Sequence, residues 1–111
     1  MSAELTALFF SAHAFDIMPI AAHLLASSGS REKCDVGIVV ANAGIGENRR
    51  CGDGRFAKDE DIMRTNVIGA MATVDAAVAL FLRAGGGQVV GISSVAAFRG
   101  LPGSAAYSAS K

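Results

Sequence analysis

The sequence predicts an α/β fold, part of a doubly wound parallel sheet, and three observations carry that expectation. The first is hydrophobic patterning. Apolar residues make up 51% of the 111 positions and gather in near-continuous runs, as strands buried on both faces require. The second is order: strand-like and helix-like segments alternate, and a βαβα order with right-handed crossovers gives a parallel sheet with helices on both faces. The third is punctuation. The longest helical stretch starts acidic, ends basic and runs into a glycine triplet.

Taken in order, Leu8-Phe9-Phe10 through Phe15 reads as a strand that ends at Asp16-Ile17. A helix from about Pro19 to Ser27 follows, proline suiting a first turn, and then a polar loop to Lys33. Gly37 to Ala41 is the next strand, its β-branched Ile38, Val39 and Val40 suited to a buried parallel position. Glu47 to Lys58 mixes glycines with Arg49, Arg50, Asp53 and Arg55. Mixed charge marks an exposed loop rather than a basic binding patch. The long helix is expected from about Asp59 to Arg83. Asp59, Glu60 and Asp61 face its positive end and Arg83 its negative end. Small residues between Gly69 and Ala79 permit close helix–helix approach. Gly85-Gly86-Gly87 stops the helix as a C-cap and turn, not a phosphate cradle. Gln88 to Ser93 is a strand, Pro102-Gly103 lies in a loop, and a last helix opens near Ser104.

Composition narrows the function. Ten acidic and ten basic residues cancel, so long-range attraction to nucleic acid or an anionic membrane is not expected. Cys34 and Cys51 have no zinc or redox spacing and read as reduced thiols. His13 and His23 read as core or surface residues, not metal ligands. Leu5 to Ala26 is apolar, but Glu4 precedes it and no Lys or Arg occurs before Arg31, which argues against a secretory signal. Val67 to Leu82 carries Asp75 and reads as short for a bilayer. A soluble, cytoplasmic protein with no repeats is expected.

The chemistry is concentrated in the last five residues, Tyr107-Ser108-Ala109-Ser110-Lys111. Four positions apart on a helix, a phenol and an ammonium share one face. A fixed positive charge beside a phenol favours the phenolate, which suits a group that makes or breaks an alcohol. Ser94 lies thirteen residues before Tyr107, at the end of an apolar run, and Asn66 lies twenty-eight before Ser94. Further back, Ile38-Val39-Val40-Ala41 runs into Asn42-Ala43-Gly44. Ligands of open parallel sheets bind at the strands' carboxyl ends, and Gly44 and Ser94 both fall there.

In these elements and their order the chain resembles the short-chain dehydrogenase/reductase family, from about Asp35 to Lys111, while residues 1–34 match poorly. The resemblance implies a partial Rossmann-like domain over 1–111, incomplete at both ends. Two departures accompany it. The turn reads Ala41-Asn42-Ala43-Gly44, with Ala in place of the family's first Asn. The family's opening Thr-Gly-x-x-x-Gly-x-Gly loop is not found ahead of Asp35, where Gly29 is the only glycine.

The resemblance implies NAD or NADP as cofactor and a small alcohol or ketone as substrate. Tyr107 becomes the acid/base, with Lys111 supporting it and binding the nicotinamide ribose. Ser94 holds the substrate oxygen, and Asn66 anchors a water that links Lys111 to solvent. Ser93 competes with Ser94, but the thirteen-residue offset favours Ser94. Asn42, Ala43 and Gly44 line the cofactor, and Asp16 meets its adenine. The full-length protein is expected to form homo-oligomers through the long helix, with no nucleic-acid or membrane partner. The 111 residues alone are expected to be inactive. Two alternatives remain: a non-catalytic product that associates with intact relatives, and a related epimerase or dehydratase.

Overall fold

The computed structural model describes Ala7–Phe9 and residues 36–111. Asp16, the expected helix from Pro19 to Ser27, both histidines and Cys34 lie outside these residues. Three parallel strands form a sheet in the order β1 (Ala7–Phe9), β2 (Ile38–Ala41), β3 (Gln88–Gly91). The register pairs Leu8 with Val39 and Val39 with Val89. Val39 in the middle strand is fully buried. It forms the core with Val36, Ala77 and Phe81, flanked by Leu80 and Val89.

β3 is shorter than the expected Gln88–Ser93. Ile92 still donates to the carbonyl of Ala41 at 3.0 Å, but Ala41 is the last residue of β2. Past it the two chains diverge, and Ser93 and Ser94 are released from the ladder. The strand ends therefore open into loops where polar side chains can converge.

The connecting helix begins earlier than expected and is continuous from Phe56 to Ala84. It consists of α1 (Phe56–Met63), a π turn (Arg64–Ile68) and α2 (Gly69–Ala84). Of the three expected acids only Asp59 lies in the first turn. At 29 residues the helix is long and apolar enough to cross a bilayer, so the shortness expected of Val67–Leu82 does not hold for the helix as a whole. Its inner face packs on the sheet through Ala77 and Phe81. Gly69 keeps helical angles (φ −62°, ψ −42°), and its amide donates to the carbonyl of Arg64, five residues back. The helix widens there without breaking. Such π turns recur at functional sites because they re-aim side chains.

The helix ends as the glycines predict. Gly85 adopts φ 86°, and the amides of Gly85 and Gly86 both donate to Phe81, at 2.9 and 3.0 Å. A Cβ at 85 would have to enter left-handed space. Gly85→Ala is expected to lower the unfolding free energy by about 1 kcal/mol, read as a lower denaturant midpoint with an unchanged slope.

Beyond β3, a single 3-10 turn (Val95–Ala97) leads through the Pro102-Gly103 turn into α3 (Ala105–Ser110). α3 packs against α1, the π turn and the 3-10 turn.

Candidate active site

The carboxyl ends of β2 and β3, the π turn and α3 meet at one place. The π turn buries Asn66, which is 4% exposed, and its carboxamide spans two elements. Oδ1 accepts the amide of Ile45 at 2.8 Å, while Nδ2 donates to the carbonyl of Ile45 and to Ser110 Oγ, both at 2.8 Å. Ser110 in turn donates to the carbonyl of Tyr107 at 2.8 Å. Both hydrogens of the carboxamide are thus committed to protein acceptors.

Lys111 follows α3 and lies over the strand ends. Its Nζ donates to the carbonyl of Ile92 at 3.4 Å, and its backbone oxygen accepts from Ser93 Oγ at 2.9 Å. Gly44 is the close neighbour. A Cβ built there would stand 2.9 Å from Lys111 Nζ and 3.5 Å from Asn66 Oδ1. Gly46 plays the same part for Tyr107, since a Cβ there would stand 2.9 Å from the ring's Cδ2. Missing side chains at 44 and 46 leave room for an ammonium and a phenol.

Ser94 sits in extended backbone (φ −148°, ψ 157°) and caps the 3-10 turn, its Oγ accepting from the amide of Ala96 at 3.2 Å. A serine hydroxyl has one hydrogen and two lone pairs. Ser93 spends its hydrogen on Lys111, whereas Ser94 uses a lone pair and keeps its hydrogen.

A cleft of about 300 Å³ lies between the strand ends, the long helix and α3, lined by Ala43, Asn66, Ile92, Ser93, Ser110 and Lys111 among others. Asn42 is exposed at the end of β2. Asn42, Ser94 and Tyr107 are not among the cleft's lining residues.

Behind Tyr107 the charged loop is clamped. Arg49, whose side chain is only 8% exposed, donates from Nε to Asp59 Oδ1 at 3.1 Å. Its two terminal nitrogens pair with the second oxygen of Asp59 and with Asp53. Its amide donates to the carbonyl of Gly103 at 2.7 Å. This arginine joins the loop, the first turn of α1 and the turn before α3. Burial alone would lower the Arg49 pKa, but the Asp59 hydrogen bond and the charges of Asp53, Asp59 and Glu47 raise it. The backbone amide of Arg55 chiefly lowers the Asp53 pKa, against burial, with help from the Arg55 and Arg49 side chains.

A carboxylate with a depressed folded-state pKa stabilises the fold above its unfolded pKa and loses that share as pH falls through the folded one. The Asp53 contribution is therefore complete above the ordinary value of 3.8 and disappears below it. Hydrogen exchange at the Arg49 amide should stay slow from neutral pH down to that value. Below it, protection beyond the intrinsic pH dependence of exchange should fall. Protection lost already near pH 6 would contradict the clamp.

Sequence patterns did not single out Ser110, Arg49 or the backbone of Ile45. Ser110 offered one local signal, its place three residues after Tyr107, from which a hydroxyl can bond back to a helical carbonyl. Arg49 offered none within its mixed-charge loop.

The chain is similar to oxidoreductases in sequence and in fold. The family model described as short chain dehydrogenase matches residues 4–111. An uncharacterized oxidoreductase of Myxococcus xanthus is 46% identical over 74 residues, which are 67% of this chain and 29% of that protein. One from Mycobacterium tuberculosis is 40% identical over 74 residues, 66% of this chain and 29% of that protein. Among solved structures, one assigned as an NAD(P) dependent gluconate 5-dehydrogenase from Beutenbergia cavernae, with bound NADP, superposes with a TM-score of 0.75 at 26% identity. It covers 90% of this chain and 39% of its own. Acetoin dehydrogenase from Salmonella typhimurium gives 0.69 at 28% identity, over 82% and 34%. The chain thus spans less than a third of the length of the curated relatives it matches. With the family match running over nearly all of its residues, the chain belongs to the short chain dehydrogenase family.

Proposed function

We propose that the protein carrying this chain is an NAD(P)-dependent oxidoreductase that interconverts the carbonyl and alcohol forms of a small molecule, with Tyr107 as acid/base. The observation that supports this most directly is the convergence of Asn66, Ser110, Lys111 and the Tyr107 backbone at the strands' carboxyl ends. The residues present fit the nicotinamide end of such a cofactor: glycine at 44 keeps the approach to Lys111 Nζ open, and an open cleft adjoins it. When bound, a nicotinamide cofactor supplies or accepts the hydride.

The chain's own residues do the rest. Tyr107 donates its hydroxyl proton to the substrate carbonyl oxygen during reduction and takes it back during oxidation. Ser94, with its hydrogen unspent, donates to the same oxygen and stabilises its developing charge. Ser93 is the competing serine, and the thirteen-residue offset to Tyr107 favours Ser94. Lys111 presents its ammonium beside Gly44, where a ribose hydroxyl can accept from it. Asn42, Ala43 and Gly44 border the cofactor, and Asp16 is carried over as its adenine contact. Asn66 holds Ile45 and Ser110 with its two hydrogens, and its Oδ1, which accepts once from the Ile45 amide, keeps a lone pair that can accept from a water linking Lys111 to solvent.

The outer face of the π turn and α2 presents Ile68, Met71, Val78 and Leu82, all exposed, at spacings of three, seven and four. This supports homo-oligomerisation of the complete protein through that helix. The exposed free thiol of Cys51 suits a reducing, cytoplasmic location. The 111 residues on their own are expected to give no turnover.

The test is to supply the complete protein with NADPH or NADH and a panel of small ketones, following absorbance at 340 nm. Ketone-dependent oxidation is expected with at least one cofactor. Absence of both ketone-dependent oxidation and calorimetric binding of either cofactor would refute the reading.

A further inference from the structure

We propose that Ser110 is a positioning residue for Tyr107, a role that rests on the acid/base reading above. Its hydroxyl receives one hydrogen from Asn66 Nδ2 at 2.8 Å and gives its own to the Tyr107 carbonyl at 2.8 Å. It thereby fastens the helix that carries the phenol to the π turn.

The direction of this chain is forced. The Tyr107 carbonyl can only accept, so Ser110 must donate to it, and its oxygen must then accept from Asn66. That demands the amide nitrogen of Asn66 on the Ser110 side. The Ile45 backbone makes the same demand independently, because its carbonyl and amide fix which carboxamide atom faces which. Turning the carboxamide over would bring Oδ1 to the Ile45 carbonyl and Nδ2 to its amide. Two unrelated partners agree on one orientation.

α3 opens without help from Ser104, whose side chain makes no cap. Ser110 is buried at 8% exposure and donates to the carbonyl of the very residue that carries the phenol. Ser108, two positions earlier, bonds instead to the amide of Leu101 at 3.3 Å on the exposed side. It is the natural control.

Variants in the complete protein test this. Ser110→Ala should lower kcat on the order of ten- to a hundredfold, the effect of a misplaced catalytic group, with KM for ketone changed less than about threefold. Ser110→Cys keeps the volume but replaces the hydroxyl with a weak donor, and its kcat should fall as well, which separates the hydrogen bonds from packing. Ser110→Thr, which restores the hydroxyl, should recover most of kcat, and Ser108→Ala should leave it unchanged. Combining Ser110→Ala with Asn66→Ala should cost little beyond Asn66→Ala alone, since partners in one network are not additive. Ser110→Cys with wild-type kcat, a loss expressed in KM alone, or fully additive effects would overturn the proposal. Tyr107→Phe in the same assay separates the two levels. If it is inactive while Ser110→Ala and Ser110→Cys are normal, only the positioning role fails. If it is active, the acid/base reading fails and the positioning role with it.

Discussion

Tyr107→Phe in the complete protein is expected to abolish ketone-dependent NADPH or NADH oxidation, with a loss of about 10²–10⁴-fold, the usual contribution of a general acid. The substitution removes one oxygen and nothing else. The ring still packs over Gly46, and the Tyr107 carbonyl still accepts from Ser110. Stability and cofactor binding should therefore stay within error of wild type while kcat collapses. Calorimetric titration with cofactor beside the kinetic assay would read both. A phenylalanine variant that turns over at more than a tenth of the wild-type rate would show that the proton comes from elsewhere.

Asn66→Leu should be the most destabilising single change in the described residues. Leucine has a similar volume but offers neither donor nor acceptor. The amide and carbonyl of Ile45 and the hydroxyl of Ser110 each lose a partner in a partly or fully buried setting. At about 1–3 kcal/mol for each stranded group, discounted because Ile45 is only half-buried, the loss should be about 2–4 kcal/mol. Against a typical stability of about 5–15 kcal/mol, that is a large fraction. Urea unfolding followed by far-ultraviolet circular dichroism would measure it. Asn66→Asp should recover little at neutral pH, because a carboxylate accepts from the Ile45 amide but also faces the Ile45 carbonyl. An unchanged midpoint in Asn66→Leu would mean that the bonds to Ile45 and Ser110 contribute nothing net.

The parts of this architecture that were legible beforehand are those written over short distances along the chain. The β-branched runs at 38–40 and 89–90 located two of the three strands, and both pair in parallel as expected. The glycines at 85–87 located the end of the long helix, because few other residues tolerate the angles that Gly85 adopts. The helix start was misplaced by three residues. Acidic side chains mark a favourable potential, not a boundary, and α1 opens at Phe56 without a side-chain cap. The third expected strand, at the N-terminal end, is described only over Ala7–Phe9.

Sequence by itself determined the fold class, the order of elements and the candidate chemistry of Tyr107, Lys111, Ser94 and Asn66. Hydrophobic period, turn residues and motif spacing are local properties that survive without coordinates. Only the tertiary structure decided how those groups are held. Asn66 reaches Ile45 across 21 residues and Ser110 across 44, and Arg49 reaches Asp59 across 10 and Gly103 across a longer span. The π turn that buries Asn66 leaves no mark in a helical pattern, since one extra residue per turn changes no residue type. Hydrogen bonds between distant segments depend on how the chain closes on itself. The carboxamide that family position assigns to a water relay also has, once the sheet, the long helix and α3 are packed, both of its hydrogens bound to protein.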